Sequence, residues 1–538
     1  MKDISSTGSF INFYLNNYIY VDKTQYIRDL IKLERVFISR PRRFGKSLTL
    51  DTIATLFETG VEPYFKETWI YDKWTEPTYP VLRLNFLDLD KYSLEHFKQK
   101  LNAIISSFAR DINVKNYEEK VEPEDTIYFL LDELRKEKRQ IVILIDEYDC
   151  QMTANINNET LYKQFQEKIK SFYATIKNKW AIKFLLITGV TKTKNSSVFS
   201  GTDINDITNY SPYSQMIGFT RDEIKKFYID YLKLAASYEN NCNVDEVTDT
   251  QIESLLDRLA QNYDGYCFDE FYKKKVFSTW SVNKFFQSVV SNKFVYFGEY
   301  WYDNGGLPSI LANYLQTHKL NALDYIDKDK TINIKVNDFK NPTSLTSINQ
   351  NVLMCQTGYL TLRSPVYSKG FMTLGIPNSE VYNALFSLMA LNIFDDTKLL
   401  SVNEQILTQS KDAGEILGLF NTVLNTVSYD NYPTSSEAVV QQLLYMYLKG
   451  ICNSVTAELH SSKGRADLVI ESDNRRIVFE FKYAENETEA KAKLSEAVEQ
   501  IKTRDYGNIL PKKNELLRIA TVFNADPKVR AFTEYQEV

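Results

Sequence analysis

Histidine is nearly missing from this chain: it has three in 538 residues, beside five cysteines. The cysteines (Cys150, Cys242, Cys267, Cys355 and Cys452) lie far apart, and none forms a Cys-x-x-Cys pair. A zinc finger needs closely spaced sulfur and imidazole ligands, and a disulfide scaffold needs paired cysteines, so both are excluded. No window approaches the roughly 18 uninterrupted apolar residues of a membrane span. The opening MKDISSTGSFINFYLNN lacks the basic start and apolar core of a secretory leader. Positive charge is not in excess either, since 64 Lys and Arg face 70 Asp and Glu, a formal charge of −6. A uniformly basic nucleic-acid coat is therefore ruled out, while a local basic groove is not. These absences predict a soluble protein of a reducing, cytoplasmic compartment with no membrane partner.

What is abundant is hydrophobic and aromatic material. The chain is 43% hydrophobic, with 36 Tyr and 32 Phe. At about 150 residues per domain, its length suggests three or four structural units. Tyrosines can stack on bases, but most serve packing, and a biased coding composition accounts for their number more simply.

Short β-rich apolar runs alternate with helical patterns through the first third, as in a parallel α/β sheet. Strands are predicted at Val36–Ser39, Val81–Phe86, Ile141–Ile145 and Phe184–Thr188, with helices from Ser47 and over Leu161–Ile176. From Arg221 the texture turns helical, opening on FTRDEIKKFYIDYLKLAA, where Thr220 can cap and Glu223 sits at the third helical position. Short β segments are predicted within 356–362 and 374–382, and linking helices from 383 to about 430. Near the C-terminus a helix over Ser436–Lys449 precedes two strands, Ala466–Ile470 and Ile477–Lys482. A helix over Glu489–Thr503 follows, and the tail after Asp526 carries no readable pattern.

The first strand runs into Arg40-Pro41-Arg42-Arg43-Phe44-Gly45-Lys46-Ser47 and then a helix, a phosphate-loop arrangement. Gly45 allows the tight turn, and the helix start presents free N–H groups to phosphate oxygens. Lys46 can reach the β- and γ-phosphates, and Ser47 can join a Mg²⁺ shell. Arg40 occupies the first glycine position of the usual pattern, and Pro41 removes one N–H. Arg40, Arg42, Arg43 and Phe44 complete the candidate nucleotide-binding loop. About 100 residues downstream, the apolar strand Ile141–Ile145 releases Asp146 and Glu147. Asp146 suits the metal partner and Glu147 the base that activates water, while Thr188, ending the next strand, can sense the γ-phosphate. A basic turn before a helix is the bland alternative, and the carboxylate strand weighs against it.

In the last unit Asp467 lies in GRADLVI, and Glu480-Phe481-Lys482 ends RIVFEFK, 13 residues later. Alternation places Glu480 and Lys482 on one face and Ile477, Phe479 and Phe481 on a buried one. If the strands pair, Asp467 and Glu480 converge on one Mg²⁺, with Mn²⁺ as the alternative ion, and Lys482 positions the attacking water. Glu437 is a further carboxylate for the metal shell. Lys463 and Arg465 are candidate phosphate contacts, and His460 reads as a surface residue. An ordinary charged hairpin is the competing reading.

These stretches resemble a family of uncharacterised bacterial AAA-ATPase-like proteins with a PD-(D/E)XK nuclease-like domain at the C-terminus. The resemblance runs through YVDKTQYI (20–27), RPRRFGKS (40–47), LIDEYD (144–149), TGVTK (188–192) and FSGTDINDIT (199–208). It continues through YDGYCF (263–268), YWYDNGGLPSIL (300–311), QTGYLTL (356–362) and IPNSEV (376–381). Arg40 belongs to the family pattern, whereas VFSTWSV (276–282) stands where the family usually shows Asn-Pro. Gln500 matches a polar position that many nucleases of this superfamily carry, which adds it to the catalytic candidates Glu147, Asp467, Glu480 and Lys482.

The resemblance implies an α/β multidomain chain. A P-loop AAA-type parallel-sheet ATPase domain (1–220) precedes a helical lid and mixed α/β middle region (221–382) and a helical linker (383–430). A restriction-endonuclease-like PD-(D/E)XK α/β domain (431–538) follows. The implied activity is ATP binding and hydrolysis controlling a metal-dependent nuclease on DNA, with RNA less favoured, and a homo-oligomer fits AAA-type sites. A defence or mobile-element role rests on that architecture alone. The alternative is a non-catalytic nucleotide-dependent switch or scaffold, which the joint presence of Asp467, Glu480 and Lys482 opposes. A metabolic kinase finds no acceptor site in 221–430.

Overall fold

The computed structural model describes residues 1–177, 179–193, 204–303, 309–315, 318, 325, 328–367, 370–385, 406–407, 409–427, 434–451, 455–461, 464–471, 474–508 and 512–538. These fall into two compact units, Met1–His318 with Lys328–Tyr382, and Lys319–Asp327 with Asn383–Val538.

In the first unit five strands form a wholly parallel sheet: β1 (Arg35–Ser39), β2 (Val81–Asn85), β3 (Ile141–Asp146), β4 (Ile182–Gly189) and β5 (Asn205–Asp206). Their order is β2-β3-β4-β1-β5, so β4 lies between the phosphate-loop strand and the carboxylate strand. Every residue of β3 is buried, as its unbroken apolar run requires of a strand covered on both faces. Helices α1 (Lys46–Thr59), α2 (Leu94–Asp111), α3 (Pro123–Lys136) and α4 (Glu159–Ile176) make the crossovers. In α1 the positions Ile53, Ala54, Leu56 and Phe57 are all buried.

After the sheet come α5 (Arg221–Phe227), α6 (Ile229–Asn240), α7 (Asp249–Tyr263) and α8 (Thr279–Asn292). Thr220 and Glu223 form the expected capping box. The helical run is broken at Tyr228, which leaves helical geometry to stack on Phe286 at 5.2 Å and donate its hydroxyl to Asn283. Ile19 and Val21 join this helical core, tying the N-terminal segment to it. A small antiparallel sheet completes the unit, with β6 (Ile332–Lys335), β7 (Thr361–Leu362) and β8 (Phe371–Gly375) in the order β6-β8-β7.

The second unit holds a mixed sheet of β9 (Val455–Ser461), β10 (Gly464–Glu471), β11 (Arg475–Ala484), β12 (Glu515–Asn524) and β13 (Ala531–Glu537). Its order is β13-β12-β11-β10-β9, with β11 and β12 parallel and the other pairs antiparallel. Its helices are α9 (Ala413–Thr426), α10 (Glu437–Ile451) and α11 (Glu487–Arg504). Half of the linker predicted from 383 to about 430 lies outside the described residues, and α9 falls within the other half.

The tail after Asp526, where the sequence carried no readable pattern, adds the edge strand β13, in which Phe532 is buried and the remaining residues are not. The face of β11 opposite Ile477, Phe479 and Phe481 carries Glu480 and Lys482, with Glu480 buried. Ala497 and Ile501 of α11 cover Val478 there, while Phe420 and Phe532 cover the other side. Both faces are therefore covered as far as Phe481, while Lys482 and Tyr483 stay partly exposed.

Candidate functional site

The first site is assembled at the carboxyl ends of β1, β3 and β4, where open parallel sheets bind their ligands. Gly45 turns the loop into α1 with φ of 98°, a left-handed conformation that costs glycine nothing. Arg43 and Glu147 also take positive φ, 70° and 52°. The Lys46 ammonium donates to the carbonyls of Arg40 (3.0 Å) and Pro41 (3.2 Å) and lies 3.7 Å from Glu147 Oε1. Ser47 Oγ donates to Asp146 Oδ2 at 2.6 Å, and the Thr188 hydroxyl donates to the other carboxylate oxygen. Lys46, Ser47, Asp146, Glu147 and Thr188, from three separate elements, thus meet. Burial raises the Glu147 carboxyl above its ordinary value, against the pull of Lys46.

The rest of the loop faces the helical middle of the same unit. Arg40 is fully buried, with its guanidinium 4.2 Å above the Phe268 ring. Its Nη1 donates to the carbonyls of Ser39 and Thr208, and its main-chain N–H donates to Gly189. Its Nε and Nη2 have no hydrogen-bond partner among the described residues. Burial pushes the guanidinium down to about 9, with Asp206 opposing. Arg43 lies over Trp280 at 4.3 Å, and its carbonyl accepts from Thr279. Phe44 packs edge-on against Tyr266 and Phe268. Arg42 stays half-exposed. These side chains clamp the loop to the middle region.

Beside Gly45 and Thr49 opens a cavity of about 150 Å³, lined mainly by apolar groups that include Val21, Phe219, Tyr228 and Trp280. No site role was read for these residues in the sequence. They come from the N-terminal segment, the turn before α5, the break between α5 and α6 and the start of α8, and no local pattern joins them.

The second site lies across β10 and β11. Leu468 pairs with Phe479, and Asp467, one residue earlier, accepts the Phe481 N–H at 2.8 Å. Lys482 Nζ is 3.0 Å from Glu480 Oε1. Glu480 is 1% exposed, and its second oxygen is buried with no hydrogen-bond partner among the described residues. Burial and the Asp467 charge push its carboxyl up to about 7, against the pull of Lys482. Glu437, at the start of α10, belongs to the same electrostatic cluster: burial raises its carboxyl, while Lys482 lowers it and Asp467 raises it further. Among the described residues, no three His, Cys, Asp or Glu side chains form a metal-holding group. The orphaned, buried oxygen of Glu480 is the kind of group a divalent cation would satisfy.

Gln500 is turned to the buried Tyr506, its Nε2 3.4 Å from the phenol oxygen, which also accepts from Arg504 at 2.8 Å. Tyr506 went unnoticed because an aromatic after a helix is usually packing. Lys463 lies outside the described residues, as do the side chains of His460 and Arg465.

Residues 5–199 match the family model of a predicted AAA-ATPase, and residues 435–532 match that of the PD-(D/E)XK nuclease superfamily. The chain carries an AAA-ATPase-like domain followed by a C-terminal PD-(D/E)XK nuclease-superfamily domain, an architecture that supports ATPase and nuclease activity. An uncharacterised protein encoded in the vnfD 5′ region of Azotobacter chroococcum mcd 1 is 25% identical over 533 residues, spanning 95% of this chain and 94% of its own. A crystal structure of Cdc6p from Pyrobaculum aerophilum aligns over 69% of this chain and 92% of its own, at 12% identity and a TM-score of 0.25. That match is too distant to carry an argument. No described helix is long and apolar enough to cross a membrane.

Proposed function

We propose that this protein is a nucleotide-controlled nuclease in which ATP bound at the phosphate loop governs phosphodiester cleavage at the C-terminal carboxylates, with DNA the favoured substrate. The observation that carries the reading is the intact Asp467–Glu480–Lys482 constellation, with a buried Glu480 oxygen that has no partner among the described residues. A scaffold with no chemistry has no use for a buried carboxylate whose ionised form is so costly.

At the first site the helix start and the Phe44–Ser47 turn cradle the phosphates, and Lys46 leaves its carbonyl partners for the β- and γ-oxygens. The base enters the cavity beside Gly45, where Trp280 and Phe219 supply an apolar wall. Glu147, released from Lys46 by the same exchange, is then placed to accept a proton from water, and its raised carboxyl makes it a better base. Ser47 and Asp146 would hold Mg²⁺, and Thr188 fixes Asp146.

At the second site Asp467 and Glu480 would hold a divalent cation, Mg²⁺ or Mn²⁺, with Glu437 contributing to the surrounding field. A cation held there polarises the scissile phosphate and acidifies a water molecule. Lys482 neutralises charge developing on the phosphate, and Gln500 orients through Tyr506.

The deciding experiment incubates the full chain with labelled duplex DNA, single-stranded DNA and RNA. Each substrate is tested with Mg²⁺ or Mn²⁺, with and without ATP, beside Lys482→Ala and Lys46→Ala. Metal-dependent cleavage lost in Lys482→Ala, with an ATP effect lost in Lys46→Ala, is the expected result. ATP turnover without cleavage of any substrate would sink the nuclease reading in favour of the scaffold.

A further inference from the structure

The loop after Phe268 is built to hold an aromatic ring and lysines in solvent. Asp269 is fully buried, and its carboxylate accepts the backbone N–H groups of Phe271 at 3.0 Å and of Lys273 and Lys274 at 3.1 Å each. Three such bonds to one carboxylate fix the turn, in which Tyr272 takes a φ of 58°. Held this way, Phe271 is 55% exposed, and Lys273 and Lys275 also face solvent. Lys274 folds back to the Ser211 carbonyl at 3.2 Å. A pinned loop has no freedom to hide its phenyl ring from water, so that exposure persists at a free-energy cost.

Main-chain hydrogen bonds set two more exposed rings alongside. The Glu270 N–H donates to the Asn209 carbonyl at 2.9 Å, bringing in Tyr210, which is 48% exposed. The Val366 N–H donates to the Glu270 carbonyl at 2.7 Å, bringing in Tyr367, which is 65% exposed. The same segments line a cavity of about 360 Å³ whose wall also contains Lys340, Lys192 and Arg40, with Asp206 and Glu270 as its acidic groups. Lys192 and Asp206 are paired at 2.5 Å, which leaves Lys340 and the buried Arg40 against Glu270, and Lys273 and Lys275 are exposed on the loop that follows Glu270.

We infer that this face binds a single-stranded stretch of nucleic acid, with bases stacking on Phe271, Tyr210 and Tyr367 and phosphates met by Lys273, Lys275 and Lys340. Unpaired bases expose π faces that a duplex hides, so rings held rigidly in solvent select single strands, and lysines beside them track the backbone. This rests on the nuclease reading above and adds a second grip on the same polymer, on the unit that holds the nucleotide site.

The test uses the full chain carrying Lys482→Ala, so that nothing is cut, and follows anisotropy of a fluorescein-labelled oligothymidylate and of a duplex of equal length. Adding Phe271→Ala with Tyr367→Ala weakens oligothymidylate binding by about tenfold or more, with duplex binding less affected. Adding Lys273→Glu with Lys275→Glu lowers the slope of log K against log salt by about 0.7 for each phosphate no longer neutralised. All four side chains are exposed, and unchanged ATP turnover shows that the fold is retained. Oligothymidylate binding equal to the parent's in both double variants, with the same salt slope, overturns the inference while cleavage by the Lys482-containing protein keeps the nuclease reading. A parent that neither cuts nor binds any nucleic acid overturns both.

Discussion

At the nucleotide site Lys46, Ser47, Asp146 and Thr188 bond to one another or to the loop's own carbonyls, whereas at the carboxylate site one oxygen of Glu480 is buried with no partner among the described residues. The first arrangement is a latch, with the ammonium held on carbonyls of its own loop that, in the proposed function, it would leave for a phosphate. The second is a deficit, stable only because the surrounding sheet and helix enforce it. A latch responds to a ligand by exchanging partners at little cost. A deficit responds by gaining stability, because a cation satisfies a group that the fold left wanting. The two sites of one chain should therefore answer differently to loss of a side chain and to loss of a ligand.

The largest contrast comes from removing charge at the deficit. Glu480→Gln and Lys482→Ala are each expected to lower cleavage by about 10³-fold, the scale of losing a charge stabiliser or metal ligand, while ATP turnover continues. A gel-based cleavage assay beside phosphate release separates the two activities, and equal loss of both would erase the distinction drawn here. Lys46→Ala should abolish ATP hydrolysis and weaken nucleotide binding by about 100-fold, since the loop loses the ammonium that reaches the phosphates. Equilibrium binding of a fluorescent ATP analogue measures it.

The pH dependence of stability sharpens the contrast further. The Glu480 carboxyl sits at about 7 in the folded protein against an ordinary 4.5. Between those values the folded state keeps a proton that the unfolded state has released. The metal-free second unit therefore loses stability as pH rises from about 4.5 to 7 and then levels, by on the order of 3 kcal/mol. Thermal melts across that window should show the fall, Glu480→Gln should flatten it, and Mn²⁺ should raise the melting temperature more at pH 8 than at pH 5. A melt independent of both pH and metal would show that Glu480 carries no deficit.

The smallest effect belongs to the latch. Gly45→Ala meets no atom within 4 Å of its new Cβ, so its cost is the left-handed backbone alone, about 1–2 kcal/mol. Chemical denaturation should register that loss, and a much larger one would mean that the loop packs more tightly than its surroundings allow.

Much of both sites was legible in the sequence because their chemistry is carried by neighbours along the chain. Gly45-Lys46-Ser47 after an apolar strand, Asp146-Glu147 ending another, and Glu480-x-Lys482 on a third are each set by the alternation or turn of a single element. The sequence left the pairing of the two strands as a condition, and the structure pairs β10 with β11. What stayed hidden mostly needed distant segments, as in the cavity beside Gly45 and the ring of Phe268 under Arg40, whereas Tyr506 lies close to Gln500 in the chain and was passed over as packing.

The sequence by itself determined the identity and spacing of the chemical groups, since strand period and glycine's backbone freedom act over a few residues. Only the tertiary structure decided their state. Burial under α11 turned Glu480 from a surface carboxylate into one that holds its proton to about 7. Docking on Phe268 and Trp280 took Arg40 and Arg43 toward the middle region. Desolvation depends on everything that packs around a group, and that sum over the fold is written in no single stretch of chain.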